Sequence, residues 1–449
     1  MGTTLEGDVP FLFIVIINVK KSFNSMLMKQ INKKSFVVPF FITNFARLIC
    51  KTLRSNNGKN HRDMSNKSIE IERVTDRKGL DKFIQFHYDL YRDDEYNVPN
   101  LYRDEIATFS RDKNAAFDFC EADYFIALRD GKVVGRVAAI INNRANDKWQ
   151  RKSVRFGWID FIDDIEVSAA LLNAVEQWGK ERGMDEIIGP LGFTDMDPEG
   201  MLTVGFDQLG TQATIYNYPY YPQHMEKLGG WEKDNDYFEY KMYVPDAVPE
   251  KYMKVAKMVE ERYNLHVKKL KRNEIFGEKG YGQRIFDVIN ETFKDLYGYS
   301  EMTPRQIEQY ISMYLKVIDL DIVTLIEDWN TPDHKIVGVG ISVPSMSRAF
   351  QKCKNGRLFP FGWWYVLRAL KFHKTESVDL LLIGVLPEYR SKGANSLLFT
   401  DLIPRYIKYG WKWGETQVEM ETNRNVQSQW GPLNPINHKR RRCYKKKIQ

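Results

Sequence analysis

A short basic turn between a predicted strand and a predicted helix has the composition of an anion-binding site. Residues 380–385 form an apolar, β-branched run that is typical of a buried strand. The turn after it contains Arg390, Lys392 and Gly393, and an apolar helical pattern begins at Leu397. Unpaired N–H groups at a helix start, together with the helix dipole, favour a bound anion. The alternative is an ordinary strand–helix turn whose basic side chains are solvated.

Two glutamates further along the chain are candidates for proton transfer. Glu419 and Glu421 alternate with Met420 in a predicted strand, 416–421, so both side chains lie on one face of the sheet. A carboxylate in a site can accept a proton from a bound group, directly or through water. Paired carboxylates are also common on the exposed face of a strand, and this alternative stays open.

An acidic loop is a third candidate. Residues 189–200 combine glycine and proline with Asp195, Asp197 and Glu199 after a short predicted strand. Loops carry binding residues more often than the elements they connect. Such a loop could line a site for an amine, although a solvated turn would have the same composition.

The predicted elements occur in a similar order twice. A strand begins at Ile69, and helices and further strands follow it, including a hairpin at Asp130-Gly131. Pro245 and Pro249 then punctuate the chain, and a helix leads into a second series that contains the basic turn. This pattern predicts an α/β protein with mixed sheets flanked by helices.

The basic turn resembles a known cofactor loop. The phrase from Val385 to Gly393, VLPEYRSKG, is similar to the acyl-CoA pyrophosphate loop of the GNAT superfamily of N-acyltransferases, whose motif reads Gln/Arg-x-x-Gly-x-Gly/Ala. Arg390 and Gly393 match this motif. Asn395 stands where the last small residue is expected, and its side chain could crowd a phosphate. The resemblance implies cofactor contacts from Ile383, Val385, Arg390, Ser391, Lys392, Gly393, Ala394, Asn395 and Asn423.

The same resemblance suggests the remaining catalytic groups. Asn423, Val426 and Trp430 have the spacing of the GNAT phrase Asn-x-x-Ala-x-x-x-Tyr, in which the tyrosine often protonates the departing CoA thiolate. The indole of Trp430 is no useful acid near neutral pH. Either Tyr444 in the terminal strand is the acid, or none is needed because a thiolate leaves readily. Glu419 or Glu421 would accept the proton of the attacking amine.

The resemblance implies two tandem GNAT-like domains, each a mostly antiparallel mixed sheet flanked by helices. The first, 65–245, ends in a phrase similar to the penultimate GNAT helix but has Asp163-Asp164-Ile165-Glu166 where the CoA loop is expected. These carboxylates would repel a pyrophosphate. They could face a cationic substrate or simply favour a helix N-terminus. The second domain, 250–449, keeps the loop, and similar tandem arrangements occur in N-myristoyltransferases and Fem-type aminoacyltransferases.

Composition excludes several function classes. Residues 1–63 carry ten basic and three acidic residues, which accounts for the whole net charge of +7 in the 449-residue chain, so the remainder is neutral and no nucleic-acid partner is expected. Four scattered cysteines without metal-ligand spacing predict a reduced, cytoplasmic protein with no metal. We interpret 1–63 as a disordered extension or a mis-assigned translation start before Met64. A weak membrane-surface arm is the alternative, since its apolar run is too short for a membrane span.

These observations predict an acyl-CoA-dependent N-acyltransferase. An amine of a small molecule or peptide would attack acetyl-CoA, or another acyl-CoA, in a splayed gap beside residues 383–386. There, backbone N–H groups would polarise the thioester carbonyl. Two alternatives remain: a non-catalytic module with the GNAT fold, and a Fem-like transferase that uses aminoacyl-tRNA and would need a basic groove.

Overall fold

The computed structural model describes residues 68–277, 280–315 and 318–448, in which fourteen strands form one mixed sheet. The hypothesis on residues 1–63 lies outside the described residues. The strands are β1 (Glu70–Arg73), β2 (Cys120–Arg129), β3 (Lys132–Asn142), β4 (Ser153–Phe161), β5 (Glu186–Gly189), β6 (Met201–Val204), β7 (Glu232–Tyr243), β8 (Leu265–Lys268), β9 (Val323–Asp328), β10 (Lys335–Pro344), β11 (Ser377–Val385), β12 (Trp413–Thr416), β13 (Glu419–Met420) and β14 (Ile436–Lys447).

Helices cover the faces of this sheet. They are α1 (Arg77–Leu90), α2 (Tyr102–Phe109), α3 (Asn143–Lys148), α4 (Ile165–Lys180), α5 (Tyr220–Leu228), α6 (Glu250–Tyr263), α7 (Tyr281–Phe293), α8 (Pro304–Tyr310), α9 (Ser347–Gln351), α10 (Gly362–Phe372), α11 (Pro387–Arg390), α12 (Asn395–Tyr409) and α13 (Arg424–Gln429). A π-helical turn, Ile311–Leu315, follows α8. Among the described residues no helix is both long and apolar enough to cross a lipid bilayer.

The strand order joins the two series of elements. It runs β1-β2-β3-β4-β5-β14-β7-β12-β11-β10-β9-β8, with β6 on β14 and β13 on β7. The mixed α/β class predicted from the sequence is confirmed, but the two expected sheets are one. The reason is β14, which pairs antiparallel with β5 on one side and with β7 on the other. The last strand of the chain thus completes the sheet of the first half.

Each half packs its own apolar core against this sheet. In the first half, the buried face of α4 packs on β3 and β4 through residues such as Val167 and Leu171. In the second half, α12 covers β8 to β10 through Leu397 and Leu398, while α7 packs on β10 and β11. Helix α4 follows directly after β4, and α12 follows β11 after the short helix α11, so each helix start lies near a strand end.

Candidate functional site

Strands β11 and β12 run side by side and then separate. They pair in parallel from Ser377 with Trp413 to Leu380 with Thr416. Past that point β11 keeps β10 as its partner up to Val385, whereas the chain after β12 stays with β7 through β13. Within the described ranges, the edge of β11 beyond Leu380 has no strand against it. A gap of the kind expected beside residues 383–386 therefore lies in the middle of the sheet.

The backbone of β11 presents donors to this gap. The N–H of Leu386 donates to the carbonyl of Val337 on the β10 side. Since successive backbone groups of a strand point to opposite sides, the N–H of Gly384 also faces β10, and those of Ile383 and Val385 face the open edge. Ile383 and Val385 are the two β11 positions that the resemblance gave as cofactor contacts.

Arg390 stabilises the turn through two hydrogen bonds. Its Nε donates to the carbonyl of Val385 at 2.9 Å, and its terminal nitrogen donates to the carbonyl of Thr292, in α7, at 3.1 Å. The guanidinium thus ties the turn to β11 and α7 and adds positive charge to the mouth of the gap. The role of Arg390 as a cofactor contact stays a prediction, and its two hydrogen bonds show in addition that it shapes the turn.

The start of α12 leaves donors for an anion. Ala394 is the N-cap residue and has no side chain to cap the helix. The N–H groups of Ser396 and Leu397 already donate to the carbonyls of Gly393 and Ala394, so within the described residues those of Ala394 and Asn395 are the ones that keep their capacity to bind an anion. Asn395, whose side chain could have crowded a phosphate, donates instead to Gln429 in α13 at 3.4 Å. The side chain of Asn395, which departs from the GNAT motif, therefore points away from the candidate anion-binding turn, residues 390–395, which we call the cradle.

The remaining positions of the turn differ in exposure. Ser391 is exposed, and the half-buried Lys392 lies with its Nζ 4.0 Å from the centre of the Tyr389 ring. Gly393 has a positive φ of 81°, and a Cβ there would lie 2.7 Å from Val255 of α6. Sequence reasoning missed this contact, because α6 precedes the turn by more than a hundred residues and no local signal links them. A side chain at Gly393 would disturb the fold as well as the cradle.

Glu419 is the predicted catalytic residue with the most unusual environment. Its Oε1 accepts a hydrogen bond from the indole N–H of Trp430 at 2.8 Å, and its Oε2 is buried with no partner among the described residues. Burial raises the pKa of Glu419 to about 8, although the Trp430 hydrogen bond favours the ionised form. Position 430 thus holds no acid but orients a carboxylate whose pKa suits a general base.

The other predicted site residues have different surroundings. Glu421 forms an ion pair with Lys233 at 2.6 Å on a partly exposed face. Tyr444 lies in the apolar core of the first half, where burial raises its pKa to about 12, so it is not placed with the basic turn. Asn423 is the N-cap of α13 and lies three residues after Met420 of β13.

An apolar cleft of about 550 Å³, including its open mouth, begins at the gap and follows the inner face of α12. Two polar side chains of its wall, Ser342 and Tyr406, hydrogen-bond to each other at 2.5 Å, so these two hydroxyl groups satisfy one another. The apolar lining of this cleft suits an apolar ligand. Sequence reasoning missed it because its walls come from six separate stretches. They are Met242–Pro245, Gly340–Ser342, Leu380 with Leu382 and Ile383, the α12 residues Phe399, Leu402, Ile403 and Tyr406, and Gly414 with Trp430 and Leu433.

The acidic loop is largely buried rather than solvated, with residues 195–198 half-buried. Asp195 and Glu199 line a second cavity of about 420 Å³ together with Arg155. Burial raises the pKa of Asp195 and that of Asp197 to about 6, and it raises the pKa of Glu199 further. Asp195 also accepts the backbone N–H of Ser300, so this loop connects the two halves of the sheet.

The first half repeats the gap without the cradle. β4 pairs in parallel with β5 only from Ser153 to Arg155 and then separates from it. Where the pyrophosphate loop would follow, Asp164 caps α4 and forms an ion pair with Arg129. Asp163 lies 3.0 Å from the ring of His224. These carboxylates support the helix start and its dipole, which is one of the two alternatives that the sequence left open.

Comparison with solved structures identifies the architecture. A tandem GNAT protein from the clavulanic acid biosynthesis pathway superposes on 85% of this chain and 99% of its own length, with a TM-score of 0.51 and 10% sequence identity. The chain has a tandem GNAT fold. At this identity the likeness concerns the fold alone. No family model matches the chain.

Two curated proteins are similar to this GNAT-fold chain in sequence. Protein YghO of Escherichia coli K12 is 27% identical over 382 residues, which covers 84% of this chain and 95% of that protein. A protein named bacterial ceramide synthase, from Caulobacter vibrioides, is 26% identical over 337 residues, which covers 75% of this chain and 85% of its own length. Both similarities extend over both halves of the sheet.

Proposed function

We propose that this protein is an N-acyltransferase that moves a long acyl group from acyl-CoA to an amine. The observation that carries the proposal is the apolar cleft, which starts at the gap beside Ile383 and is walled there by Trp430, the residue that holds Glu419. A thioester in the gap would thus have an apolar channel for its acyl chain and a carboxylate near its reacting carbon. An acetyl group, the donor expected first from the sequence, would leave this channel unfilled.

The residues present suit a CoA thioester as the donor substrate. The uncapped start of α12 at Ala394 and the charge of Lys392 would hold the pyrophosphate. The N–H groups of Ile383 and Val385 would donate to the pantetheine arm and the thioester carbonyl. The first half, with Asp163 and Asp164 at the matching position, would bind no CoA.

The reaction follows from these positions. The amine nitrogen attacks the thioester carbonyl carbon, and a backbone N–H at the edge of β11 stabilises the negative charge that develops on the carbonyl oxygen. Ionised Glu419 takes the proton that the amine loses. The carbon–sulfur bond then breaks, the amide forms, and CoA leaves as a thiolate. Solvent protonates the thiolate and receives the proton that Glu419 had taken, so the carboxylate is restored. Trp430 positions Glu419 and donates no proton to the leaving group.

The name of one relative supports the choice of acceptor. A ceramide is an amide of a fatty acid with a long-chain amino alcohol, and the Caulobacter relative is named for making it. We therefore place an amphiphilic, long-chain amine ahead of the small-molecule and peptide amines expected from the sequence. The neutral charge balance of residues 64–449 gives no support to the aminoacyl-tRNA alternative.

The test is an end-point assay of the full chain with palmitoyl-CoA or acetyl-CoA and a panel of amines: sphinganine, dodecylamine and a lysine peptide. Mass spectrometry of the products detects the amide. We expect a palmitoyl amide of a long-chain amine, and its loss in Glu419→Gln. If no donor gives an amide with any amine while the protein still binds CoA, the non-catalytic alternative replaces this proposal.

A further inference from the structure

Helix α10 exposes large aromatic side chains that a core helix would bury. Its inner face buries Val366 and Ala369 and packs on β10. Its outer face, together with the residue before the helix, combines exposed aromatic and basic side chains. We call this surface the aromatic–basic face, and it consists of Phe361, Trp364, Tyr365, Arg368, Lys371 and Phe372.

The exposure of the aromatic rings is large. Phe361 is 73% exposed, Phe372 54% and Trp364 42%. Positions 361, 365, 368 and 372 are spaced by three or four residues, so they form one stripe along the helix. An aromatic cluster of this kind on the surface marks a contact site for another molecule.

The segment that carries this face has charge of one sign, and carboxylates lie beside its end, where His373 contacts Asp319 and the exposed Glu376 follows. Residues 348–374 contain seven basic residues and no acidic one, and all seven side chains are exposed. Within the described residues, none of the seven lies within ion-pair distance of a carboxylate. The partner of this face must therefore be both anionic and able to take up aromatic rings.

We infer that the aromatic–basic face binds the surface of an anionic lipid bilayer. Trp, Tyr and Phe rings insert at the boundary between headgroups and acyl chains, and neighbouring Lys and Arg contact anionic headgroups. A helix that lies in the plane of the interface needs one such face and no membrane-spanning length. This binding does not depend on the proposed reaction, because it needs no substrate.

The like charges disfavour a second copy of the chain as the occupant. Two such faces packed together would bring Arg368 and Lys371 of one copy against the same residues of the other, with no carboxylate between 348 and 374 to separate them. A bilayer that contains anionic lipids supplies the missing negative charge and an apolar interior for Trp364 and Phe372. An interface between copies is therefore an outcome of the test rather than the proposal.

One wall of the apolar cleft lies near the start of β11, close in the chain to the end of α10. Tyr243 lines the cleft, is 59% exposed and pairs with Trp413, which in turn pairs with Ser377, the first residue of β11. Helix α10 ends at Phe372, just before that strand begins. A bilayer bound to the aromatic–basic face would thus lie near the exposed wall of the cleft.

The test is co-sedimentation of the full chain with vesicles of phosphatidylcholine alone and of phosphatidylcholine mixed with phosphatidylglycerol. We expect binding to the mixed vesicles that weakens with salt. In Phe361→Asp with Trp364→Asp, the partition coefficient should fall at least tenfold. In the double variant Arg368→Glu with Lys371→Glu, the partition coefficient should fall about fivefold or more for each residue changed.

Matched controls separate this face from other parts of the chain. Lys254→Glu with Lys257→Glu changes an exposed basic pair on α6, and Trp329→Asp changes an exposed aromatic residue in the β9–β10 turn. Both controls should bind like the wild type, and unfolding midpoints check that all variants are folded. Binding that survives both α10 variants overturns the inference and assigns the attraction to another segment. A dimer that dissociates in the Trp364 variant, seen by sedimentation velocity, also overturns it.

Discussion

The indole of Trp430 and the carboxyl of Glu419 are joined by a 2.8 Å hydrogen bond at the open gap of the sheet. Trp430 is 2% exposed and packs edge to face on Phe399 of α12, so the indole has little freedom to move. The bond holds one carboxylate oxygen and leaves the other, Oε2, without a partner among the described residues. This relationship determines the first two predictions.

Glu419→Gln should lower kcat by about 100-fold or more while it leaves the Kd for acyl-CoA unchanged, because it removes the proton acceptor but keeps the shape. In the wild type kcat/KM should rise as the pH rises through about 8, where Glu419 ionises. The variant should lose this limb of the profile. Glu421→Gln is the control, because Glu421 is engaged with Lys233, and it should keep both rate and profile. Equal loss in the two variants would contradict the role of Glu419.

Trp430→Phe should move the pH profile rather than abolish activity. The indole N–H favours the charged form of Glu419, so its removal raises the pKa of that carboxyl above its value of about 8. The rising limb of kcat/KM against pH should shift to higher pH. Trp411→Phe is a control elsewhere in the fold, since the Trp411 indole N–H has no partner among the described residues. A Trp430 variant whose profile is unchanged would show that the hydrogen bond is only structural.

Lys392→Glu should weaken the binding of CoA by about tenfold or more, because a charge-assisted contact to phosphate contributes roughly 1.5–3 kcal/mol. Calorimetric titration with CoA measures the change. Lys132→Glu, at the exposed β2–β3 turn of the first half, is the matched charge reversal and should bind normally. We choose Lys392 over Gly393, since any side chain at Gly393 meets Val255 and would mix a folding defect with a binding defect. Unchanged binding in Lys392→Glu would contradict the cradle.

Gly414→Leu should convert the preference for long acyl groups into one for short groups. A Cβ at Gly414 would meet Val378 and Leu380 at 3.5 to 3.8 Å, which is ordinary contact, so a larger side chain would extend into the cleft that Leu380 lines. Each methylene that loses its buried position costs about 0.8 kcal/mol. The ratio of kcat/KM for palmitoyl-CoA over acetyl-CoA should fall by at least tenfold, with acetyl transfer retained. A fall of both rates together would indicate that the cleft does not hold the acyl chain.

Glu239→Gln should destabilise the fold without touching the proposed chemistry. Glu239 is fully buried between Arg441 and Lys439, each 1% exposed. Burial alone would raise its pKa, and the two cations more than offset this, so that its pKa is lowered to about 2. Removing the carboxylate leaves buried cations under-compensated and should cost about 3–5 kcal/mol, measured by urea unfolding.

The sign of the pH dependence follows from that lowered pKa. An unfolded glutamate titrates near 4.3. The stabilisation from Glu239 is therefore present above about pH 4.3 and is lost as the pH falls through the folded pKa of about 2. Wild-type stability should fall more steeply with acidification than that of Glu239→Gln. Parallel curves for the two proteins would contradict this account.

Local features of the fold were predictable because their causes are local. The strand before the basic turn, the turn itself and α12 follow from an apolar run, a proline and a helical spacing between 380 and 409. The hairpin at Asp130-Gly131 follows from a two-residue turn signal, and it is present between β2 and β3. The repeated order of elements indicated a tandem arrangement, which the fold comparison confirms.

The sequence did not predict which distant strands pair with one another. No local signal shows that β14 enters between β5 and β7, since a strand can hydrogen-bond to any edge of suitable length. The same limit applied to Glu419 and Glu421, which share a strand face and look equivalent in the sequence. Glu419 contacts the buried indole of Trp430, 11 residues further along the chain. Glu421 contacts the exposed Lys233, 188 residues before it.

The sequence by itself predicted a candidate anion-binding turn, the lack of such a turn in the first half and the candidate carboxylates, because each depends on residue types at short spacing. Only the tertiary structure decided which carboxylate is buried, where β11 leaves β12, and that an apolar cleft runs from this gap along α12. Those properties arise from burial and from walls assembled out of distant segments. No short stretch of the sequence predicts burial or shows which distant segments form such walls.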